Sequence, residues 1–323
     1  MQTVRVATVR RETPEIISLE LVAQEGEQLA RAAPGAHIDV AIDAPAGGGH
    51  PPLRQYSLCQ GPDEAKLYRI GVKREANSRG GSEWLHQSVN AGDLLQIGKP
   101  RNNFPLTDAA GFQLLVAGGI GITPMLGMAL HLAAKGAPFR LEYFVRSMEH
   151  AAFASLLQGD AFRDNVRFHV GVPGDQLEKV ASGLFGTRPA EDAHLYVCGP
   201  APFIGVVERV AERAWPADAV HHEYFGAAAG QQAADGSFRI RLARSGRELL
   251  VPAGVPIIAV LEEAGVPVET SCRQGACGTC LVNVLEGTPD HRDSFLLPDE
   301  QKEGHCLMTC VSRSLSPTLV LDL

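Results

Sequence analysis

The sequence predicts a multidomain fold. An antiparallel β-barrel over residues 1–107 precedes a doubly wound α/β domain over residues 108–226. A short linker, 227–236, leads to a small module of strands and one helix around a cysteine loop, 237–323. Three observations predict this order. Short alternating strands with Gly/Pro punctuation fill the first segment, as a small barrel requires. An unbroken apolar strand then enters a glycine turn and a helix, and strand–helix alternation follows. Last, five of the seven cysteines lie at Cys272 or beyond.

Length and composition narrow the function classes. A chain of 323 residues accommodates about two or three domains. A net charge of −8 argues against nucleic acid as the partner. The first residues, M-Q-T-V-R-V-A-T-V-R-R-E, alternate apolar and charged side chains and lack the apolar core of a signal peptide. The apolar stretch from Phe112 to Gly136 carries Gly118, Gly119, Gly121 and Pro124, which would break a spanning helix. A buried strand, a turn and a buried helix account for it. The expectation is a soluble cytoplasmic protein in a reducing compartment, with no membrane span.

In the first segment, strands are expected at Val4–Val9, Glu15–Leu21, His37–Ile42, Gln55–Cys59 and Leu67–Val72. Three patterns there carry chemistry. In R-Q-Y-S-L, alternation puts Arg54, Tyr56 and Leu58 on one face and turns Ser57 the other way. Arginine offers a fork for phosphate, tyrosine a ring for stacking and serine a short donor. In V-K-R-E-A-N-S-R-G-G-S, from Val72 to Ser82, the Gly80-Gly81-Ser82 turn precedes a helix expected over Glu83–Asn90. A serine-capped helix start is a good anion site. The third pattern, P-R-N-N-F-P-L at Pro100–Leu106, closes the barrel with an aromatic turn.

The second segment opens on the strand Gln113–Gly118, which enters G-G-I-G-I-T-P and a helix over Met125–Lys135. This is a cousin of the G-x-G-x-x-G fingerprint and shares its physics. Glycines let a ligand approach the backbone at a helix start, and Pro124 suits a first helical turn. Strands at Arg140–Val145, Val166–Val170 and His194–Val197 alternate with helices at Ala151–Gln158 and Ala201–Ala214. Y-V-C-G-P ends another buried strand in a glycine turn. Ligands on such sheets bind at the carboxyl ends of strands, where Gly118–Thr123 and Cys198–Pro200 would both sit. In H-H-E-Y-F-G, His221 and His222 would point apart on a strand, which argues against a shared metal.

The third segment expects a hairpin of Ser237–Leu242 with Arg247–Pro252, a helix at Ile257–Ala264, and strands at Leu281–Glu286 and Leu319–Leu323. Its loop reads E-T-S-C-R-Q-G-A-C-G-T-C and places Cys272, Cys277 and Cys280 in a C-x4-C-x2-C array, with Cys310 far downstream. That is the ligand spacing of a plant-type [2Fe-2S] cluster. Structural zinc sites use paired knuckles, and only Cys277 and Cys280 form one. Cys306 competes with Cys310 for the fourth position and otherwise reads as a buried free thiol. The acidic side chains of Glu286, Asp290, Asp293, Asp299, Glu300 and Glu303 read as surface, with a docking face for a redox partner as the alternative.

Taken together, R-Q-Y-S-L, R-G-G-S, P-R-N-N-F-P-L, G-G-I-G-I-T-P, Y-V-C-G-P, D-H-R-D at Asp290–Asp293, C-V-S-R at Cys310–Arg313 and the closing L-V-L-D-L resemble the phthalate dioxygenase reductase family. These proteins join a flavin and nucleotide unit of the ferredoxin–NADP reductase type to a C-terminal β-grasp ferredoxin. Vanillate demethylase reductases share the layout, and the resemblance covers essentially the whole chain. It implies FMN as the flavin, NADH as the donor and a [2Fe-2S] cluster held by Cys272, Cys277, Cys280 and Cys310. Arg54, Gln55, Tyr56, Ser57, Val72, Lys73, Gly80, Gly81 and Ser82 would bind the flavin, and Phe225 would pack on its ring. Gly119, Gly121, Thr123, Cys198, Gly199 and Pro200 would receive the nicotinamide, with Ser57, Thr123 and Cys198 at the reacting atoms. The implied function is to pass the electrons of NADH singly, through FMN and the cluster, to a terminal Rieske non-haem iron oxygenase. The implied protein is a monomer. Two other readings stay open: a free-standing NADH:flavin or quinone reductase, and a non-enzymatic carrier or sensor. Arg146 and Ser147 follow a strand where a 2′-phosphate site could form, so NADPH also stays open.

Overall fold

The computed structural model describes residues 1–42, 53–62, 66–75, 81–107, 111–225, 236–270, 273, 275, 278–293, 295–296 and 298–323. They form two compact units, Met1–Glu223 and Tyr224–Leu323.

The first unit begins with six antiparallel strands: β1 (Gln2–Arg11), β2 (Ile16–Ala23), β3 (His37–Ala41), β4 (Leu53–Ser57), β5 (Leu67–Lys73) and β6 (Leu94–Ile97). Their order is β4-β3-β6-β1-β2-β5, and a bridge between Leu58 and Ile70 joins the two edges into a barrel. Alternation drives it. Val4, Val6, Leu19, Leu21, Ile38, Val40, Ile70 and Val72 point into a common core, away from the polar faces. A short helix, α1 (Gly81–Gln87), packs Leu85 onto that core. It starts earlier than its sequence pattern suggests, so Ser82 lies inside the first turn and is not its cap.

The same unit continues as a sheet of β7 (Phe112–Gly118), β8 (Phe139–Val145), β9 (Val166–Val170), β10 (Ala193–Gly199) and β11 (Val220–Tyr224), in the order β11-β10-β7-β8-β9, with β10, β7, β8 and β9 parallel. The connecting helices are α2 (Ile122–Lys135), α3 (Ala154–Leu157), α4 (Leu177–Phe185) and α5 (Ala201–Ala211). β7 is buried along nearly its whole length, as a central strand covered on both faces must be. The nine-residue α4 adds to the elements expected from the sequence, and its Leu177, Val180, Ala181, Leu184 and Phe185 fall at helical spacing along one apolar face. The helix expected over Ala151–Gln158 shrinks to α3 because Phe153 adopts a positive φ of 59°.

The second unit contains β12 (Phe238–Leu242), β13 (Glu248–Val251), α6 (Ile257–Glu263), β14 (Leu281–Glu286), β15 (Pro289–Asp290), α7 (Pro298–Glu303), β16 (Cys306–Met308), β17 (Arg313–Ser314) and β18 (Thr318–Leu321). The last strand lies in the middle of the sheet order β13-β12-β18-β14-β16, parallel to β12. A hairpin, a helix and a returning central strand make the β-grasp arrangement. Arg313 of C-V-S-R is a buried staple: it donates to the carbonyls of Val255 (2.7 Å), Gly236 (3.0 Å) and Pro252 (3.1 Å) and lies over the Phe238 ring. Among the described residues, no helix is long and apolar enough to cross a membrane.

Candidate functional site

In the parallel sheet, the chain runs outward from β7 to β8 and β9, then returns to the other side of β7 as β10 and β11. The strand order reverses between β7 and β10, and their carboxyl ends open a crevice there. Both glycine turns lie at this point. Residues Gly119–Gly121 form one turn of 3₁₀ helix leading into α2, and Gly119 needs its positive φ of 55°. A methyl on Gly121 would collide with the carbonyl of Cys198, so only glycine lets the two turns touch. Pro200 follows Gly199 and caps α5 in an extended conformation. The backbone at Gly119, Gly121, Gly199 and Pro200 is thereby held together with little side-chain cover.

The barrel supplies the opposite wall. Thr123 is buried, and its hydroxyl donates to the carbonyl of Ile120 (3.0 Å). Its methyl packs against Gly71 of β5: a Cβ there would lie 2.6 Å from Thr123 Cγ2. Ser57, at the end of β4, is buried and donates to Oε2 of Glu223 at 3.4 Å. Burial pushes the Glu223 carboxyl up to about 8, and the Ser57 hydrogen bond only partly offsets this. Cys198 is fully buried. Burial first, and the neighbouring Glu223 second, push its thiol well above the usual range, so it stays protonated. Ser57, Glu223 and Cys198 therefore lie together, next to Thr123 and the two turns, with Ser57 and Cys198 buried and Glu223 half-buried.

No local pattern in the sequence marks Glu223. It stands third in H-H-E-Y-F-G, between histidines and aromatics that draw attention first. The histidines do point apart. His221 stacks on Tyr196 (4.5 Å between centroids) and shares a 2.8 Å hydrogen bond with His194, whereas His222 pairs with Glu208.

The remaining barrel residues make local contacts. The Arg54 side chain lies along the start of α1, where a Cβ on Gly81 would fall 2.9 Å from its Nε. Tyr56 is partly buried against the barrel core, and burial raises its hydroxyl well above the usual phenol value. Gln55 Nε2 bonds the ring of His37 (3.1 Å). The Val72 carbonyl accepts from His86 (2.9 Å), Lys73 pairs with Glu75 (3.0 Å), and the backbone N–H of Glu75 donates to the Ser82 hydroxyl (3.2 Å). Gly80 lies outside the described residues. Phe225 follows β11 and is 42% exposed. Arg146 is committed to Glu15 (2.8 Å) and Ser147 to His150 (2.8 Å).

In the second unit, Cys280 and Cys310 are buried in one small cluster with Ile258 and Met308. The backbone N–H and the hydroxyl of Thr309 both donate to the Cys280 carbonyl (3.2 and 3.0 Å), which locks Cys310 beside it. Two converging thiols in an apolar pocket are a donor set that suits a soft, thiolate-bound metal cluster. Cys306 sits apart on β16, opposite Asn283, and is partly exposed, contrary to the buried thiol expected of it. Cys272 and Cys277 lie outside the described residues. Asp293, read above as acidic surface, has a fully buried carboxylate because backbone N–H groups and a serine hydroxyl surround it.

Comparison with known proteins adds the following. The family model for the 2Fe-2S iron–sulfur cluster binding domain matches residues 240–315. The chain is 44% identical to a vanillate O-demethylase oxidoreductase of Pseudomonas sp., over 100% of both proteins. It is 39% identical to the phthalate dioxygenase reductase of Burkholderia cepacia, over 99% of this chain and 96% of that one. Among solved structures, a phthalate dioxygenase reductase, described as modular for electron transfer from pyridine nucleotides to [2Fe-2S], superposes with a TM-score of 0.75. That match has 39% identity and covers 99% of this chain and 97% of the other.

Proposed function

This chain belongs to the phthalate dioxygenase reductase family, and we propose from that premise that the crevice between β7 and β10 takes electrons from NADH and the cysteine loop hands them on. The protein is a flavin iron–sulfur oxidoreductase, the reductase component of an oxygenase system. Its cofactors are FMN and a [2Fe-2S] cluster, with NADH as donor. When bound, a flavin accepts the two electrons of a nicotinamide hydride and releases them singly, as a one-electron acceptor requires.

The chain's own residues would do the rest. Arg54, with the backbone at Gly81 and Ser82, would hold the flavin phosphate, and Tyr56 and Phe225 would offer ring faces. Gly119, Gly121, Gly199 and Pro200 would leave backbone bare for the nicotinamide, and Thr123 would position it. With flavin bound, the protonated Glu223 carboxyl would donate to the Ser57 oxygen and so free the Ser57 hydroxyl to donate to the flavin edge. Cys198, kept neutral, would add bulk without charge. Cys272, Cys277, Cys280 and Cys310 would ligate the cluster. We place the domain boundaries at 107/108 and within 227–236, a segment of which only Gly236 is described.

The observation that carries this reading is the convergence of Ser57, Glu223 and Cys198 at the reversal of strand order. The partner would be the Rieske centre of a terminal oxygenase. In an anaerobic mixture, NADH should bleach a purified Rieske oxygenase only when the flavin- and cluster-loaded chain is present. If the oxygenase stays oxidised while this chain is fully reduced, the partner reading fails.

A further inference from the structure

The D-H-R-D segment plays no part in the scheme above, yet it packs directly behind the cysteine loop. Gly275 and Gly278, which lie among the loop cysteines, both have positive φ, 74° and 75°. A Cβ on Gly275 would lie 3.0 Å from Asp293 Cα and 2.6 Å from Val311 Cγ2. A Cβ on Gly278 would enter the Phe295 ring. Gly275 and Gly278 therefore rest on a wall made by Asp293, Phe295 and Val311.

One carboxylate organises that wall. Asp293 Oδ2 accepts from the backbone N–H of Leu296 (2.8 Å) and of Phe295 (3.2 Å), which sets the ring over Gly278. Asp293 Oδ1 accepts from the hydroxyl of Ser312 at 3.4 Å. Ser312 lies two residues beyond Cys310, so the same carboxylate reaches both arms of the ligand set. Its side chain is completely buried. The nearest cationic candidate, His291, stands 3.7 Å away, and neither of its ring nitrogens has a hydrogen bond among the described residues. Asp293 thus spends its acceptor capacity on local backbone and Ser312, the arrangement of a side chain that fixes a loop.

We propose that Asp293 is a positioning residue for the iron–sulfur loop, holding Gly275, Gly278 and the turn that carries Cys310 in register. The proposal rests on the [2Fe-2S] reading of that loop. Partners behind metal ligands typically change metal affinity by about 10- to 100-fold when removed.

The test compares cluster-loaded wild type, Asp293→Ala, Asp293→Asn, Ser312→Ala and Phe295→Leu. Iron and sulfide content, the EPR g-values of the reduced cluster, its midpoint potential and its rate of loss to a chelator are read for each. Asp293→Ala should shift the g-values and the potential and speed cluster loss by about tenfold or more. Asp293→Asn keeps an oxygen for the two N–H groups and should restore the g-values and the loss rate, while the loss of its negative charge raises the potential. Ser312→Ala and Phe295→Leu should each move the g-values in the same direction as Asp293→Ala, by less. They carry the test if Asp293→Ala does not fold. Wild-type g-values, potential and loss rate in Asp293→Ala, or in both Ser312→Ala and Phe295→Leu, would overturn the proposal even if the melting temperature fell. A wild-type protein that holds no [2Fe-2S] cluster after reconstitution would overturn the reading of the loop and the proposal with it.

Discussion

Cys310→Ser should cut NADH-dependent reduction of the partner oxygenase by about 100-fold or more, because serine is a poor substitute for a thiolate at a soft iron site. Direct reduction of ferricyanide by NADH should change little, since Ser57, Thr123, Cys198 and Glu223 all belong to the other unit. Cys306→Ser is the matched control. Cys306 is partly exposed on β16, outside the pocket that gathers Cys280 and Cys310, so both activities should stay near wild type. Iron analysis and EPR of the two variants give the check. Loss of the cluster in Cys306→Ser, with retention in Cys310→Ser, would reverse the ligand assignment.

The second large effect is a change of pH profile. Burial holds the Glu223 proton up to about pH 8. Above that pH the carboxyl ionises beside Ser57 and Cys198, in a site that must accept negative charge as electrons arrive. The NADH–ferricyanide rate should therefore fall through an inflection near pH 8, by about tenfold per pH unit at most. Glu223→Gln should remove the inflection and keep the low-pH rate. Stability should move with the same group. The folded state holds this proton to about 8, while an unfolded glutamate releases it near 4.5. The contribution of Glu223 to stability is thus full below pH 4.5 and lost as pH rises through 8. The melting temperature of Glu223→Gln, relative to wild type, should rise across that window. An unchanged inflection in the variant would remove Glu223 from the site.

The sequence carried the barrel, the parallel sheet and the cysteine loop because each has strong local signals. The barrel announces itself by alternation, β7 by its unbroken apolar run and the loop by ligand spacing. What it hid depends on contacts between distant segments. Glu223 becomes notable only once β11 brings it to Ser57, 166 residues away in sequence. Asp293 looks like surface acid until the chain folds over it. The shortened α3 follows from the left-handed backbone of Phe153, whose N–H donates to Glu12 at 3.2 Å, a contact no local pattern encodes. The position of Ser82 inside α1 reflects the ordinary uncertainty of helix starts. Cys306 and Cys310 differ only in where β16 and the following turn place them.

An anaerobic titration of the flavin- and cluster-loaded protein with NADH, followed by visible absorbance and low-temperature EPR, tests the relay most directly. The account predicts bleaching of the flavin together with growth of a reduced [2Fe-2S] signal. Flavin bleaching with no reduced-cluster signal, in a preparation with its full iron and sulfide, would contradict it. A free-standing NADH:flavin or quinone reductase would then describe the protein better.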